Sequence, residues 1–421
     1  MTIRTNDLPR RVLPAMTPRL AAALTLLLLA SAAQAQPDCA PCLQARADVD
    51  TLTSVRYAGR GYDTRQGAAR AASFVARRFE ALGLRPLGGT HQVPFGFAAK
   101  LVGTSGLAVN GRVLRMGEDV LPLTGSRSGS GMARVGTGPG RVSVLTAPDS
   151  LAVRVGRAAA QGAVAVVVLG EALPAYGGTG FTAPVPVFAV RRAAWPDGTP
   201  LVRYRMDAAD AEPRVGVNVV GAVPGTAVPD SFLVVTAHYD HVGCFADAFS
   251  RADVCFPGAN DNASGTAMLL ALAGEVARRP LRYSVVFVAF GGEEQGLYGS
   301  RALAASPLWP LERTRFLVNL DMTASGAGVM AFGATDFGPE FARLAALASA
   351  QHLPSVIARE TRPNSDHYPF VARGVRAFYL LTAGGTQPYH NVRDVPATLE
   401  WEAWERLYGL TSAFLQDLSG R

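Results

Sequence analysis

The chain has 421 residues, of which 49% are hydrophobic and 17% charged, so it has ample apolar material for two or three packed domains. Its net charge of +7 raises the question of a nucleic-acid partner. Residues 1–35, however, carry four arginines against one aspartate, and the other arginines form no basic run and no interleaved aromatic stripe. The composition therefore predicts no nucleic-acid binding.

The N-terminus has the pattern of a secretion signal. Arg19 precedes an apolar stretch at residues 20–29, and Ala33-Gln34-Ala35 is a small-x-small cleavage site. The apolar stretch is too short for a comfortable membrane span. We therefore expect residues 1–35 to be a signal peptide cleaved after Ala35. The mature protein is then expected to be secreted or periplasmic, without stable membrane insertion.

The four cysteines fit an oxidising compartment. Cys39 and Cys42 lie just past the expected cleavage site, and Cys244 and Cys255 flank a loop beside His238. Two short-range disulfides are the prediction. A redox or zinc motif at the first pair is the alternative, but no second pair stands at zinc-ribbon spacing and no βα pattern follows.

The first part of the predicted main domain is residues 36–95. We predict residues 44–95 to be helical, because residues 67–82 place their apolar side chains on one helical stripe that ends at Gly83.

Residues 96–214 differ in composition from the flanking segments, because they lack charged helical patterns and are rich in glycine and serine. Short β-rich runs stand at residues 142–145, 163–168 and 185–190, with one predicted helix at 151–161. We interpret residues 96–214 as an inserted β-rich domain.

Residues 215–421 alternate apolar strands with helices. The predicted strands are residues 217–223, 232–237, 283–290, 316–321, 329–332 and 377–381. The predicted helices are residues 263–279, 298–305, 339–351 and 400–417. Near-continuous apolar strands between helices predict an α/β fold with a mixed, mostly parallel sheet sandwiched by helices. Ligands of such sheets gather beyond the carboxyl ends of the strands.

Histidines and carboxylates cluster where those strands should end. Only six histidines occur in the chain, and four of them stand in short clusters with acidic or other polar residues. The clusters are His238-Tyr239-Asp240-His241, Asp261-Asn262, Glu293-Glu294, Asn319-Leu320-Asp321, Ser365-Asp366-His367 and Tyr389-His390. Imidazole and carboxylate are ligands of zinc, so the clusters predict a metal site.

Individual residues in these clusters admit specific roles. Asp240 stands two residues after His238 and would accept its second ring N–H if the chain stays extended. Asp261 lies in a glycine-flanked loop that opens a helix, so it is either an N-cap or a carboxylate that bridges two metals. Glu293 and Glu294 point in different directions, so that one can bind metal while the other handles protons.

The clusters, in this order and at these separations, resemble the two-zinc co-catalytic exopeptidases. That family includes bacterial leucine aminopeptidases, aminopeptidase Y and glutamate carboxypeptidase II. The resemblance covers residues 43–94 and 215–418, and it extends in weaker form to residues 96–214, which resemble a divergent protease-associated domain. It implies the zinc exopeptidase fold and a metallo-exopeptidase that acts on peptides with a free N-terminus.

The resemblance also implies a role for each residue of the site. One of two Zn²⁺ ions would be held by His238 and Asp321, the other by Glu294 and His390, and Asp261 would bridge them. Three further residues would take part in catalysis: Glu293 as general base, Asp240 as the partner of His238, and Tyr389 as an oxyanion donor. Three positions match the family near the site but receive no ligand role: His241, Asp366 and His367. Asn260 stands where some relatives have aspartate, a change expected to affect only the surroundings of the ligands.

Three other functions remain open at this stage. A carboxypeptidase or dipeptidase of the same fold would need a basic pocket for the substrate carboxylate. A glutaminyl cyclase uses a related fold with one zinc. A receptor-like binding protein would have lost ligands that are all present here. Other hydrolase classes lack support, since the chain has no His-Glu-x-x-His helix, no Gly-x-Ser-x-Gly elbow and no Gly-Lys-Ser/Thr loop.

Overall fold

The computed structural model describes residues 40–99, 101–146, 150–177, 182–208, 211–385 and 388–420. The predicted signal peptide, its cleavage site and Cys39 lie outside these residues. Cys42 is disulfide-bonded. The second predicted disulfide, Cys244–Cys255, is confirmed.

The described part of the chain contains eight α-helices and eighteen strands, numbered here in chain order. The helices are α1 (Ala40–Thr53), α2 (Gly67–Ala81), α3 (Leu151–Ala160), α4 (Gly265–Arg278), α5 (Tyr298–Ala305), α6 (Gly338–Ala350), α7 (Tyr368–Val371) and α8 (Trp401–Leu418). The first nine strands are β1 (Gln92–Ala99), β2 (Val102–Val109), β3 (Arg112–Val113), β4 (Val120–Pro122), β5 (Gly129–Arg134), β6 (Val142–Leu145), β7 (Ala165–Gly170), β8 (Val187–Arg191) and β9 (Leu201–Ala208). The others are β10 (Glu212–Val223), β11 (Val228–His238), β12 (Cys244–Asp247), β13 (Asp253–Cys255), β14 (Tyr283–Phe290), β15 (Thr314–Leu320), β16 (Gly328–Phe332), β17 (Ile357–Arg359) and β18 (Ala377–Ala383).

The main sheet has eight strands in the order β1-β10-β14-β11-β15-β18-β16-β17. Four of its seven neighbouring pairs are parallel, and these include both pairings of the central strand β11. The predicted α/β fold with a mixed, mostly parallel sheet is therefore confirmed. Every strand and helix predicted within residues 215–421 is present, with ends shifted by a few residues at most.

Helices cover both faces of this sheet. Helices α2, α4 and α8 pack on one face, and α5 and α7 on the other. Along β11 and β14 alternate residues serve the two faces: Val234 and Val286 belong to the cluster that contains Leu303 of α5. Both faces of the central strands are thus buried, which explains why their sequences read as continuous apolar runs.

Two smaller sheets contain the strands β2 to β9, which lie between β1 and β10 in the chain. One has four strands in the order β4-β8-β7-β6, and the other has six, β13-β12-β2-β9-β5 with β3 attached to β2. In the second sheet β12 pairs in parallel with β2, through Ala246 opposite Thr104. The β12–β13 hairpin, which carries the Cys244–Cys255 disulfide, therefore joins the segment 96–214 to the loop after His238.

The prediction that residues 44–95 are helical is only partly right. Helix α2 is present where the stripe predicts it, but residues 92–99 form β1, which pairs antiparallel with β10 at the edge of the main sheet. Alternate burial of Phe95, Phe97 and Ala99 gives this strand a period of two that the helical interpretation missed. No described helix is long and apolar enough to cross a membrane.

Candidate metal centre

Three neighbouring strands bring ligand-type side chains to one edge of the main sheet. His238 is the last residue of β11, and Asp321 directly follows β15, which runs parallel to β11. Glu293 comes shortly after the end of β14, the parallel neighbour on the other side of β11. Because parallel strands end at the same edge of a sheet, these three side chains meet there.

Asp261 enters the site from the irregular turn Ala259–Ser264, which precedes α4. The backbone N–H groups of Asn260 and Asp261 donate to the carboxylate of Asp394 over 2.8 and 3.0 Å. The amide of Asn262 donates to the last carbonyl of β15 over 2.9 Å. Bonds on both sides of Asp261 therefore fix the position of its carboxylate.

The carboxylate of Asp261 lies between two histidines. Its Oδ1 is 3.4 Å from Nε2 of His238, and its Oδ2 is 3.2 Å from Nε2 of His390. The same nitrogen of His238 is 3.3 Å from Oδ1 of Asp321, and that of His390 is 2.8 Å from Oε2 of Glu294. The five side chains to which the resemblance assigns metal binding are therefore together, and the carboxylate of Asp261 lies between the two histidines.

The distances suit zinc. Two ligands of one tetrahedral zinc ion, each roughly 2.0–2.1 Å from the metal, stand about 3.3 Å apart. Among the residues that the structure describes, two sets of ligand-type side chains have ligand atoms within 4.8 Å of one another: the His238 group of His238, Glu293 and Asp321, and the His390 group of His241, Asp261, Glu294 and His390. These residues fit two ions with one shared carboxylate.

The concentration of negative charge at the site also favours the binding of cations. Seven carboxylates interact electrostatically with one another or with the charged residues of the site, namely those of Asp240, Asp261, Glu293, Glu294, Asp321, Asp366 and Asp394. Removing such groups from water costs several kcal/mol per ion unless opposite charge offsets it. Two divalent ions would supply four positive charges at this place.

His241 belongs to the His390 group, although the resemblance assigns it no ligand role. Its Nδ1 lies 2.7 Å from Oε1 of Glu294, and its side chain is fully buried. The other oxygen of Glu294 faces His390. His241 thus orients Glu294, and the sequence motif alone, which places His241 three residues after His238, could not reveal this contact.

Asp321 is held by a chain of hydrogen bonds that leads back into the sheet. Its Oδ2 accepts a hydrogen bond from Ser365 over 2.7 Å. Ser365 in turn accepts from Asn319 over 2.8 Å, and Asn319 accepts from Thr236 over 2.6 Å. This arrangement leaves Oδ1 of Asp321 to face His238.

The expected contact between the carboxylate of Asp240 and His238 needs correction. The Asp240 carboxylate is 3.9 Å from Nδ1 of His238, whereas the backbone carbonyl of Asp240 is 3.2 Å away and accepts the ring N–H. The strand ends at His238, so the alternation on which the expectation depended stops there. The Asp240 carboxylate accepts instead the backbone N–H of Glu293 over 3.3 Å.

Glu293 has the environment of a group that exchanges protons. Burial raises its pKa well above the ordinary value; the charge of His238 opposes this rise, and that of Glu294 adds to it. A carboxyl group with a raised pKa is a better proton acceptor near neutral pH. For Glu294 burial also raises the pKa, but His390 and the hydrogen bond from His241 outweigh it and bring the value to about 2. The pKa values of the two neighbouring glutamates are therefore shifted in opposite directions.

Tyr389 lies at the open side of the site. Its ring stacks on that of His390 at 3.9 Å and is about half exposed. Burial of the hydroxyl raises the pKa of Tyr389, and Asp261 and Glu294 raise it further. The phenol therefore keeps its proton and can act as a hydrogen-bond donor.

Asp366 and His367 are buried behind the ligands. Burial raises the pKa of Asp366 to about 7 and lowers the pKa of His367 to about 4. The ring of His367 packs 5.5 Å from that of Tyr379. The side-chain oxygen of Asn260 accepts the backbone N–H of Ala324 over 2.9 Å. Neither His367 nor Asn260 belongs to the His238 group or the His390 group.

Arg60 is a residue of the site that sequence reasoning missed. Its guanidinium is fully buried and donates to the carbonyls of Tyr239 (2.8 Å), Gly258 (2.7 Å) and Asp261 (3.2 Å). Burial lowers the pKa of Arg60 to about 10, against the opposing charges of Asp261 and three other carboxylates. Arg60 thus ties the loop after His238 to the loop of Asp261. No periodicity in the sequence marks it, because it stands in an irregular segment.

Comparison with known proteins identifies this part of the chain. Residues 218–415 match the sequence profile of peptidase family M28. The M28 segment contains all the ligand-type residues described above, whereas Arg60 lies outside it.

Curated relatives match a shorter part of the chain. Over 112 residues it is 40% identical to a probable zinc metalloprotease of Leptosphaeria maculans, a match that covers 26% of this chain and 25% of the relative. A probable zinc metalloprotease of Pyricularia oryzae is 39% identical over 112 residues, covering 26% of this chain and 22% of the relative. The chain thus spans about a quarter of the length of the curated relatives it matches.

Solved structures resemble the chain over most of its length. The zinc aminopeptidase of Bacillus subtilis superposes with a TM-score of 0.69 at 19% identity, covering 89% of this chain and 94% of that one. An aminopeptidase from Aneurinibacillus sp. strain AM-1 has a TM-score of 0.61 at 20% identity, covering 90% and 94%. At such identities the likeness establishes the fold. The protease-associated character of residues 96–214 stays a prediction.

Proposed function

We propose that the protein is a zinc-dependent aminopeptidase that hydrolyses the N-terminal peptide bond of peptides. The observation that carries this proposal is the placement of Asp261, whose two oxygens face His238 and His390 at 3.4 and 3.2 Å. The names of the relatives agree, since two similar structures are aminopeptidases and the curated relatives are named zinc metalloproteases.

Different residues of the chain would bind the metals, transfer the proton and stabilise the oxyanion in such a reaction. His238 and Asp321 would hold one zinc, Glu294 and His390 the other, and Asp261 would bridge them. When bound, two such ions supply Lewis-acid polarisation of the scissile carbonyl and lower the pKa of a water. Glu293, whose pKa is raised, accepts a proton from the attacking water and returns it to the departing amine. The Tyr389 phenol, which keeps its proton, donates a hydrogen bond to the oxyanion.

A cavity beside Glu294 favours an amine over a carboxylate as the anchored end of the substrate. It has a volume of about 400 Å³, and Asp63 and Glu294 contribute its charged walls. No arginine or lysine lines it among the described residues, and Lys100 lies outside them. A carboxypeptidase would need a basic group at this place, whereas the carboxylate of Asp63, which is not a proposed zinc ligand, attracts the ammonium group of an N-terminal residue.

The proposal is tested with leucyl-p-nitroanilide, its N-acetylated form, an N-blocked dipeptide and a glutaminyl peptide. We expect hydrolysis of leucyl-p-nitroanilide but not of its acetylated form or of the N-blocked dipeptide. This activity should be lost with a chelator and recovered with zinc. Glu293→Gln should lower kcat by about 10²- to 10⁴-fold while zinc content is unchanged. Equal cleavage of the acetylated substrate would overturn the aminopeptidase proposal. Cleavage of the blocked dipeptide would favour a carboxypeptidase, and cyclisation of the glutaminyl peptide a cyclase.

We further propose that the enzyme acts outside the cytoplasm. The apolar stretch and cleavage site of residues 1–35 support this, as does the Cys244–Cys255 disulfide, because such bonds persist in oxidising compartments. Expression of the full chain in a secreting host should yield a mature protein that begins at Gln36. Retention of residues 1–35 on protein recovered from the cytoplasm would contradict this location.

A further inference from the structure

We propose that the segment of residues 96–214 is part of the metal centre, because Tyr176 and Gly177 position His390 as a metal ligand. The simplest alternative is that this segment is a structural appendage without a role at the site. The proposal rests on the proposed function only in requiring that the site binds zinc.

Two hydrogen bonds join the backbone of Tyr176 to His390. Nδ1 of His390 donates to the carbonyl of Tyr176, and the backbone N–H of Tyr176 donates to the carbonyl of His390 over 3.2 Å. An imidazole that donates through Nδ1 presents the lone pair of Nε2 to a metal. Nε2 is the atom of His390 that faces Asp261 and Glu294. The segment thus selects the tautomer that the site requires.

The position of Tyr176 is itself fixed from two sides. Its ring stacks on Phe256 at 4.7 Å, and Phe256 stands two residues before Gly258, where the Asp261 turn begins. The hydroxyl of Thr124 donates to the carbonyl of Gly177 over 2.6 Å, which holds the Tyr176–Gly177 backbone within the segment 96–214. Tyr176 is therefore connected to both the loop of His390 and the loop of Asp261.

Gly177 leaves room for the imidazole. A Cβ at this position would stand 3.3 Å from Nδ1 of His390, and the φ of +113° adds strain for any other residue. Gly138 lies in the same segment with a φ of +94°, but a Cβ there would meet nothing within 4 Å. Substitution by alanine strains the backbone at both glycines, but only at Gly177 does the added Cβ contact His390. Gly138→Ala is therefore a matched control for Gly177→Ala.

The experiment compares zinc binding to metal-free Gly177→Ala and Gly138→Ala protein, by competition with a chromophoric chelator. We expect Gly177→Ala to weaken one of the two zinc-binding steps by about 10- to 100-fold, the usual effect of disturbing a ligand's hydrogen-bond partner. Gly138→Ala should bind zinc like the wild type. Both variants should show a similar loss of thermal stability without metal.

A second pair keeps the test decisive if Gly177→Ala does not fold. Tyr176→Phe retains the ring on Phe256 and should bind zinc normally, whereas Tyr176→Ala should weaken the same zinc-binding step as Gly177→Ala. Wild-type zinc affinity in both Gly177→Ala and Tyr176→Ala would overturn the proposal and leave the segment as an appendage. A wild-type protein that binds two zinc ions but cleaves no free-amine substrate would contradict the proposed function alone.

Discussion

His238 and His390 each face one oxygen of Asp261, yet the chain holds the two imidazoles by different means. The His238 side is built from the main sheet: His238 ends β11, Asp321 follows β15, and Ser365 fixes Asp321. The His390 side is built from loops, where His241 orients Glu294 and the backbone of Tyr176 meets His390. Regular structure thus places one half of the centre, and contacts between distant segments place the other.

Removing the carboxylate of Asp261, which both halves of the metal centre share, should have the largest effect. Asp261→Asn should lower kcat/KM by about 10³-fold, which corresponds to about 4 kcal/mol of transition-state stabilisation. The amide has one oxygen to offer instead of two, so zinc content should fall below two ions per chain. Metal analysis together with leucyl-p-nitroanilide kinetics measures both effects.

The neighbouring residue supplies the control for that substitution. Asn260 directs its side-chain oxygen to the backbone of Ala324, away from the ligands. Asn260→Asp should therefore keep two zinc ions and an activity close to that of the wild type. Two tightly bound zinc ions in Asp261→Asn would show that the carboxylate does not bridge.

Arg60 links the two halves through the backbone, so its loss should act on the stability of both. Arg60→Met leaves the carbonyls of Tyr239 and Gly258 without their buried donor and removes a cation from among the carboxylates. We expect the free energy of unfolding of the metal-free protein to fall by about 3 kcal/mol or more, as measured by urea denaturation. Arg65 pairs with Asp253 at the surface, and Arg65→Met should cost at most about 1 kcal/mol. Equal losses in the two variants would contradict the role of Arg60.

Substitutions on one side only should separate the halves. Ser365→Ala removes the hydrogen bond to Asp321, and His241→Ala removes the one to Glu294. Each should weaken a different zinc-binding step by about 10- to 100-fold. The double variant should then show both losses, whereas two single variants that weaken the same step would mean that the halves are not independent.

The same difference explains what could be predicted from sequence. The ends of β11, β14 and β15 follow from apolar runs, so the sequence predicts that His238, Glu293-Glu294 and Asp321 lie at one edge of the sheet. His390 joins this set through the family resemblance, because loops carry no period from which to place it.

Three features could not be read from the sequence. The acceptor of the second N–H of His238 is a backbone carbonyl, which depends on where the strand ends. Arg60 and Tyr176 act through backbone atoms of residues far away in the chain. Such contacts depend on tertiary packing, and neither residue type nor spacing marks them.

Protons bound to the two imidazoles of the metal-free site set the pH dependence of zinc binding. Burial lowers the pKa of His390, but Glu294 and Asp261 outweigh it and raise the value to about 11 in the metal-free protein. Below that pKa Nε2 carries a proton that zinc must displace, so zinc affinity should rise with pH, by up to about tenfold per unit for this histidine. The pKa of His238 is raised too, because Asp321 and Glu293 outweigh the effect of its burial, so its proton adds to the slope.

Zinc titrations between pH 6 and 9 measure the slope, and His390→Asn should reduce it by about one proton. A slope near zero in the wild type would show that both imidazoles are already neutral in the metal-free site.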